Sequence, residues 1–201
     1  MEGMQATVEN PVEAELVALL AADLRTRMLM PDSNSSYPAS QEGDKEFWRR
    51  GLFIVSPHHA QIRAIRKALA QRRRWQSPAF VDTVDKMQGQ QSQAVLVSYG
   101  VSDVETALAE AEFIYSLNRL NVSISRARAK CIVFLSRPLL EPSFDVLQDD
   151  KAARGLGHML ALEEFCSKHG EQRRFDLDFL QPAGRADLLA IRARLGCPPQ
   201  A

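Results

Sequence analysis

The sequence predicts an α/β domain with a mainly parallel sheet, followed by a helical C-terminal extension. Short apolar runs (GLFIVSP, AFVDT, AVLVSYG and KCIVFLS) alternate with helical or polar segments. That alternation is the pattern of βαβ units. Several of the runs are continuously apolar over their core residues, as strands buried on both faces require. After Pro142 the apolar runs stop and helical spacing takes over. A chain of 201 residues with 45% hydrophobic content is long enough for one real core plus an appendage.

The elements follow in order. Residues 11–30 repeat Val12, Leu16, Leu19, Leu20 and Leu24 at helical spacing, with Asn10 as N-cap and Pro11 at the first helical position. PDSNSSYPASQEGD then reads as an exposed, mobile loop over about 31–46. GLFIVSP is a buried strand ending at Pro57, and HAQIRAIRKALAQRRRW is the helix after it, with Ile62, Ile65 and Leu69 on one face. Further strands are expected at AFVDT, AVLVSYG and KCIVFLS. DDKAARGLGHMLALEEFCSKHG is helical, and RADLLAIRARLG reads as a second short helix. Residues 1–144 form the main domain on this reading, and 145–201 the helical extension. Ligands of parallel sheets sit at the C-terminal strand ends, here Ser56–Pro57, Thr83 and Ser98–Tyr99.

Lys+Arg and Asp+Glu both number 25, so any attraction to nucleic acid must come from local clusters. Cys131, Cys166 and Cys197 are far apart and form no CxxC pair, which argues against a disulfide framework and a cysteine zinc site. An intracellular setting, cytoplasmic or nuclear, is expected. No signal peptide and no apolar run near ~20 residues is present, so no membrane partner is expected.

Two stretches carry chemistry. In FVDTVDKMQGQQSQAVLVS a strand ends at Thr83, and a polar turn with Asp85, Gln88, Gly89 and Gln91 precedes the next strand. A glycine there lets backbone N–H groups approach phosphate oxygens; an ordinary connection with a short helix would read the same. In LNRLNVSISRARAKCIVFLS, Arg119, Arg126, Arg128 and Lys130 lie in a basic helix that runs straight into a buried strand. Arginine's fixed fork suits phosphate, and a surface helix paired with acids would also fit. Arg63, Arg66, Lys67, Arg72, Arg73 and Arg74 form a further basic run, either a solvated helix face or a track for a nucleic-acid backbone. His58 and His59 follow a strand end, and no His, Cys or acid spacing suggests a metal site. Cys131 reads as a small residue buried in its strand.

Together these stretches resemble motifs V and VI of superfamily 1 helicases, spaced as in their Upf/Dna-type, 5′→3′ branch. GLFIVSPHHAQIRAIRKAL is similar to motif IV and its helix, where the family has T/A-P-Y-x-x-Q. NPVEAELVALLAADL is similar to the N-x-x-E-A helix that opens the second motor domain. The likeness runs from about Asn10 to Ser136. It implies a RecA-like three-layer αβα domain, the second of two that enclose ATP. The first carries the GxxxxGK[ST] loop and the main hold on Mg²⁺. No GK[ST] occurs in this chain, so by resemblance it is the second half and is inactive in ATP hydrolysis alone.

The resemblance also implies residue roles. Arg126 stands where the family has its arginine finger, and Gly89, Gln91, Arg119 and Arg126 would face the nucleotide. Ser56, Pro57, His58, Thr83 and Gln88 would grip single-stranded DNA or RNA. Asn121 and Ser125 would organise the Arg126 surface, with Arg128 a further candidate. The expected partners are that strand and the first RecA-like domain of the same longer polypeptide. The chain departs from the pattern in Gln91 for Glu, His58 for Tyr, and Asn118–Arg119 for Arg-Arg. These departures keep open a non-catalytic nucleic-acid-binding or regulatory module. A plain interaction domain using its C-terminal helices is a further alternative.

Overall fold

A computed structural model describes residues 8–87, 89–101, 104–141, 144–176 and 187–192. Helix α1 spans Pro11–Arg27, and the Asn10 side chain accepts the Glu13 N–H at 3.0 Å, as the cap signal predicts. Helix α2 (Gln41–Glu46) is capped by Ser40 and leads through a π-helical turn, Phe47–Gly51, into strand β1 (Leu52–Val55). Helix α3 (His59–Arg72), strand β2 (Val81–Asp82), a 3₁₀ turn (Val84–Met87) and strand β3 (Ser92–Ser98) follow. Short helices α4 (Val104–Ala109) and α5 (Ala111–Ile114) lead to helix α6 (Leu117–Ser125) and strand β4 (Ala127–Phe134). The C-terminal part holds α7 (Arg137–Leu140), α8 (Phe144–Leu147), α9 (Asp150–His169), β5 (Glu171–Asp176) and β6 (Asp187–Arg192).

The sheet order is β2-β1-β3-β4, with every pairing parallel. Strand alternation sorts the core into two layers. Leu52, Ile54, Ala94 and Leu96 pack against α1 and α3, where Ala14, Val17, Ala18 and Ala21 let the helices approach closely. Phe53, Val55, Val95 and Val97 pack on the opposite side with Ile114, Leu120, Leu156 and Met159. The result is a three-layer αβα sandwich, in line with a RecA-like fold. Helix α9 seats against the α5–α6 junction through Gly155, where an added Cβ would lie 1.6 Å from the Tyr115 carbonyl oxygen. Among the described residues, no helix is long and apolar enough to cross a membrane.

Three expectations are corrected. First, Arg128 and Lys130 belong to strand β4, not to the basic helix, and both are exposed. Strand β4 forms the edge of the sheet, so its beginning is solvated and charged, a common guard against edge pairing. Cys131 is accordingly half-buried, although burial still pushes its thiol up to about 12. Second, the 31–46 segment is tied down rather than loose. Arg25 reaches Asp44 at 2.8 Å and the carbonyls of Tyr37 and Pro38 at 3.1 and 2.6 Å. Arg50 grips Asp32 at 2.9 Å, and Leu29 bridges Ser36. Third, RADLLAIRARLG is not helical over 187–192. Those residues pair antiparallel with β5, from Glu171↔Arg192 to Asp176↔Asp187. A helix this short gains little by itself, whereas the hairpin satisfies a six-residue ladder.

Candidate functional site

Because every strand of the main sheet runs the same way, the predicted residues fall on two opposite edges. At the C-terminal edge, a cleft of about 350 Å³ gathers Ser56, Pro57, His59, Thr83, Asp85 and Arg119. Thr83 follows β2 directly, and its backbone N–H is held by the Asp82 carboxylate at 2.8 Å. Its hydroxyl has no partner among the described residues. Arg119 lies on the first turn of α6, with its guanidinium carbon 3.9 Å from the Phe113 ring centroid and a nitrogen 4.0 Å from Asp85. That stacking fixes the guanidinium plane at the cleft wall. Ser56 is buried, and its hydroxyl accepts the His58 N–H at 3.3 Å, so it shapes the turn.

At the other edge, Ser92 pairs with Ala127 and its N–H donates to the Arg126 carbonyl at 3.1 Å. Gln91 therefore lies beside Arg126, just ahead of the ladder. Arg126 caps the C-terminus of α6; its Nε is buried and has no hydrogen-bond partner. Gly89 holds φ at +76°, and no atom lies within 4 Å of where a Cβ would stand. The turn thus leaves space beside its backbone at Gly89. The structure brings Gln91 and Arg126 to one edge. It places Arg119 at the other, with Thr83, because α6 spans the distance between the edges. Gln88 lies outside the described residues. Asn121 and Ser125 are exposed on α6, and the Ser125 hydroxyl donates to the Val122 carbonyl at 3.2 Å.

The two histidines at the end of β1 differ in exposure. His58 is the N-cap position of α3 and is only 7% exposed. Its Nδ1 is 3.3 Å from a Glu110 carboxylate oxygen, and its ring lies 5.5 Å from Phe113. The exposed neighbour that lines the cleft at the C-terminal edge is His59. Much of the basic run is also structural. Arg66 donates to the Val81 carbonyl at 2.7 Å, Arg72 reaches Glu15 at 2.9 Å, and Arg73 lies 4.4 Å over Trp75. Arg63 and Lys67 stay exposed, with no ion pair among the described residues.

Sequence reasoning missed a buried polar cluster beneath the C-terminal edge. Glu13 accepts the Ser98 hydroxyl at 2.6 Å and the Gly100 N–H at 3.0 Å. Gln61 donates to Ser98 at 2.9 Å and accepts the Asn10 N–H at 2.8 Å. The cluster ties the start of α1 to the first turn of α3 and the end of β3. The signal was present: Glu13 and Gln61 are polar residues in otherwise apolar helix faces, the Glu of N-x-x-E-A and the Gln of P-x-x-x-Q.

Burial, only partly offset by the hydrogen bonds from Ser98 and Gly100, raises the Glu13 carboxyl to about 7 from 4.5. Burial lowers His58 to about 4 from 6.5. The folded chain keeps a proton on Glu13 that the unfolded chain gives up first, so Glu13 makes stability fall as pH rises from 4.5 to about 7. The unfolded chain protonates His58 first, so His58 makes stability fall as pH drops from 6.5 to about 4. The two slopes oppose each other between 4.5 and 6.5. Glu13→Gln is therefore expected to make stability rise with pH across that window. His58→Gln is expected to make it fall, by up to about 1.4 kcal/mol per pH unit. Urea unfolding of both variants at several pH values checks the signs.

Comparison with known proteins shows the family. The family profile described as "AAA domain" matches residues 1–137. The chain is 25% identical over 136 residues to the DNA replication ATP-dependent helicase/nuclease JHS1 of Arabidopsis thaliana, covering 68% of this chain and 8% of that protein. It is 33% identical over 113 residues to the probable helicase senataxin of Mus musculus, covering 54% of this chain and 4% of that one. It is 26% identical over 130 residues to the DNA replication ATP-dependent helicase/nuclease dna2 of Schizosaccharomyces pombe, covering 62% and 9%. The chain thus spans less than a tenth of the length of these relatives. With the profile covering residues 1–137 and the parallel αβα sheet carrying the motif residues, the chain belongs to the AAA-domain family, as a helicase-related domain of the Upf/Dna type of superfamily 1.

Proposed function

We propose that the chain is the second motor half of an ATP-dependent helicase, offering Arg126 to a nucleotide on one edge of its sheet and gripping single-stranded nucleic acid on the other. The observation that carries this reading is Arg126, whose buried Nε lacks a partner beside Gln91 and the open Gly89 turn. A buried, unpaired guanidinium N–H is costly unless an acceptor arrives. ATP phosphates would be such acceptors, with Gly89 leaving room for them and Gln91 serving as a neutral acceptor for the sugar. ATP, held mainly by the first motor domain, would supply the phosphoryl group transferred to water, and Arg126 would offset the charge that develops on it. Mg²⁺ would be held mainly by the first motor domain. On the strand side, Thr83 and Arg119 would hold phosphates, and His59 would take the place expected of His58.

The division between edges is testable in the longer polypeptide. Thr83→Ala and Arg119→Ala are expected to weaken single-strand binding. For Arg119→Ala the loss is about tenfold or more, the scale of one hydrogen bond to a charged group, and the salt slope falls by about one. Arg126→Ala should leave strand affinity unchanged. If Arg126→Ala weakens the strand as much as Arg119→Ala does, the assignment of edges is wrong. A non-catalytic regulatory module is the competing reading, favoured by Gln91 where the family has Glu; it predicts the same strand binding without nucleotide turnover.

A further inference from the structure

A second and larger cleft, of about 620 Å³, lies across a ridge formed by Pro57, His59 and Phe113, which line both. Helices α4 and α5 wall it on one side; α8 and the approach to α9 wall it on the other. Among the described residues its carboxylates are Glu110, Glu112, Asp145 and Asp149, and no Lys or Arg lines it. Glu110 meets the neutral His58, Glu112 meets Lys151 at 3.7 Å at the solvated margin, and Asp149 accepts the Ala152 N–H at 2.7 Å. Asp145 has no ion pair among the described residues. His58, almost wholly buried, lines the same wall, and its Nε2 has no partner.

Acidity alone would say little, but large apolar side chains are exposed in the cleft and beside it. Leu108 on α4 lines the cleft and is exposed. On α8, Phe144 is 74% exposed and Leu147 is 49% exposed, one helical turn apart, while Val146 anchors the helix in the core. These large exposed apolar side chains thus collect on the two helices that flank the acids. A phosphate backbone would be repelled here, so the cleft does not extend the strand path. Its opposite is a chain that carries cations and apolar side chains together.

We propose that this cleft docks a cationic, amphipathic peptide segment of a partner protein, with its Arg or Lys side chains against Glu110, Glu112 and Asp145 and its aliphatic side chains over Leu108, Phe144 and Leu147. An incoming N–H donor could also reach the free acceptor of the His58 ring with a small side-chain shift. The site is independent of the motor reading, since it uses neither Arg126 nor Thr83 and requires no nucleotide.

The test is fluorescence anisotropy of the 201-residue chain with a labelled synthetic peptide that interleaves arginine and leucine. An all-arginine peptide of equal charge and a glutamate–leucine peptide serve as controls. The arginine–leucine peptide is expected to bind at least about tenfold more tightly than either control. The Glu112→Lys, Asp145→Lys pair and the Phe144→Ser, Leu147→Ser pair should each weaken it by about tenfold. All four positions are exposed, and circular dichroism verifies folding; should charge reversal disturb it, Glu112→Gln with Asp145→Asn is read instead. Three results would overturn the proposal. They are no binding of the arginine–leucine peptide, equal binding of the all-arginine peptide, and insensitivity to the substitutions.

Discussion

Asp44→Ala is expected to destabilise the chain by about 3–5 kcal/mol, the cost of leaving a buried charge unpaired. Asp44 and Arg25 are 1% and 5% exposed and lie 2.8 Å apart. Asp44 also accepts the Gln76 N–H at 2.8 Å and lies 3.5 Å from Arg73. Arg25 donates in turn to two carbonyls of the 37–38 segment. One carboxylate therefore joins the end of α1, the 31–46 segment and the chain after α3. Beside it, Tyr37, Phe47, Trp48 and Trp75 form an aromatic cluster that α2 closes. Asp44→Asn retains an acceptor and loses the charge, so it should cost less than Asp44→Ala. Urea unfolding compares the three proteins. If Asp44→Ala unfolds within about 1 kcal/mol of the wild type, a surface-like pair, the pairing does not hold this segment.

The strands were legible because a parallel strand buried on both faces must be continuously apolar, and LFIV and AVLV satisfy that. The start of α1 was legible from Asn10 and Pro11, since capping is a local event. The Arg25–Asp44 pair was not legible, because residues 19 apart gave no local sign of meeting and the intervening Pro, Ser and Gly looked like a free loop. The β6 hairpin was missed for a similar reason: six residues of mixed character fit a helix turn or a strand, and only the partner strand decides.

Within the site, the motif pattern named loops without settling which way each side chain turns. The resemblance picks out His58 and is silent on His59. The start of α3 separates them, since consecutive helix positions point about 100° apart. Arg119 and Arg126 were grouped because they share a motif, yet they stand at opposite ends of a nine-residue helix. Spacing along the chain cannot show that a helix crosses the sheet from edge to edge.

The second large effect concerns Arg126 itself. A guanidinium that waits for the nucleotide's phosphates contributes mainly when charge develops in the transition state, so its loss should spare nucleotide binding and strike turnover. Arg126→Lys keeps the charge without the planar fork and should rescue little. An Arg126 that serves only to support the junction of α6 and β4 would behave differently: truncation would lower stability, and turnover would fall no more than folding does. The most direct measurement is the strand-stimulated ATPase of the longer polypeptide, wild type against Arg126→Ala, with nucleotide affinity and thermal stability measured on the same samples. The account predicts turnover reduced by about 10³ or more, with ATP affinity and melting temperature close to wild type. Normal turnover in Arg126→Ala, or no strand-stimulated turnover in the wild type, would contradict it.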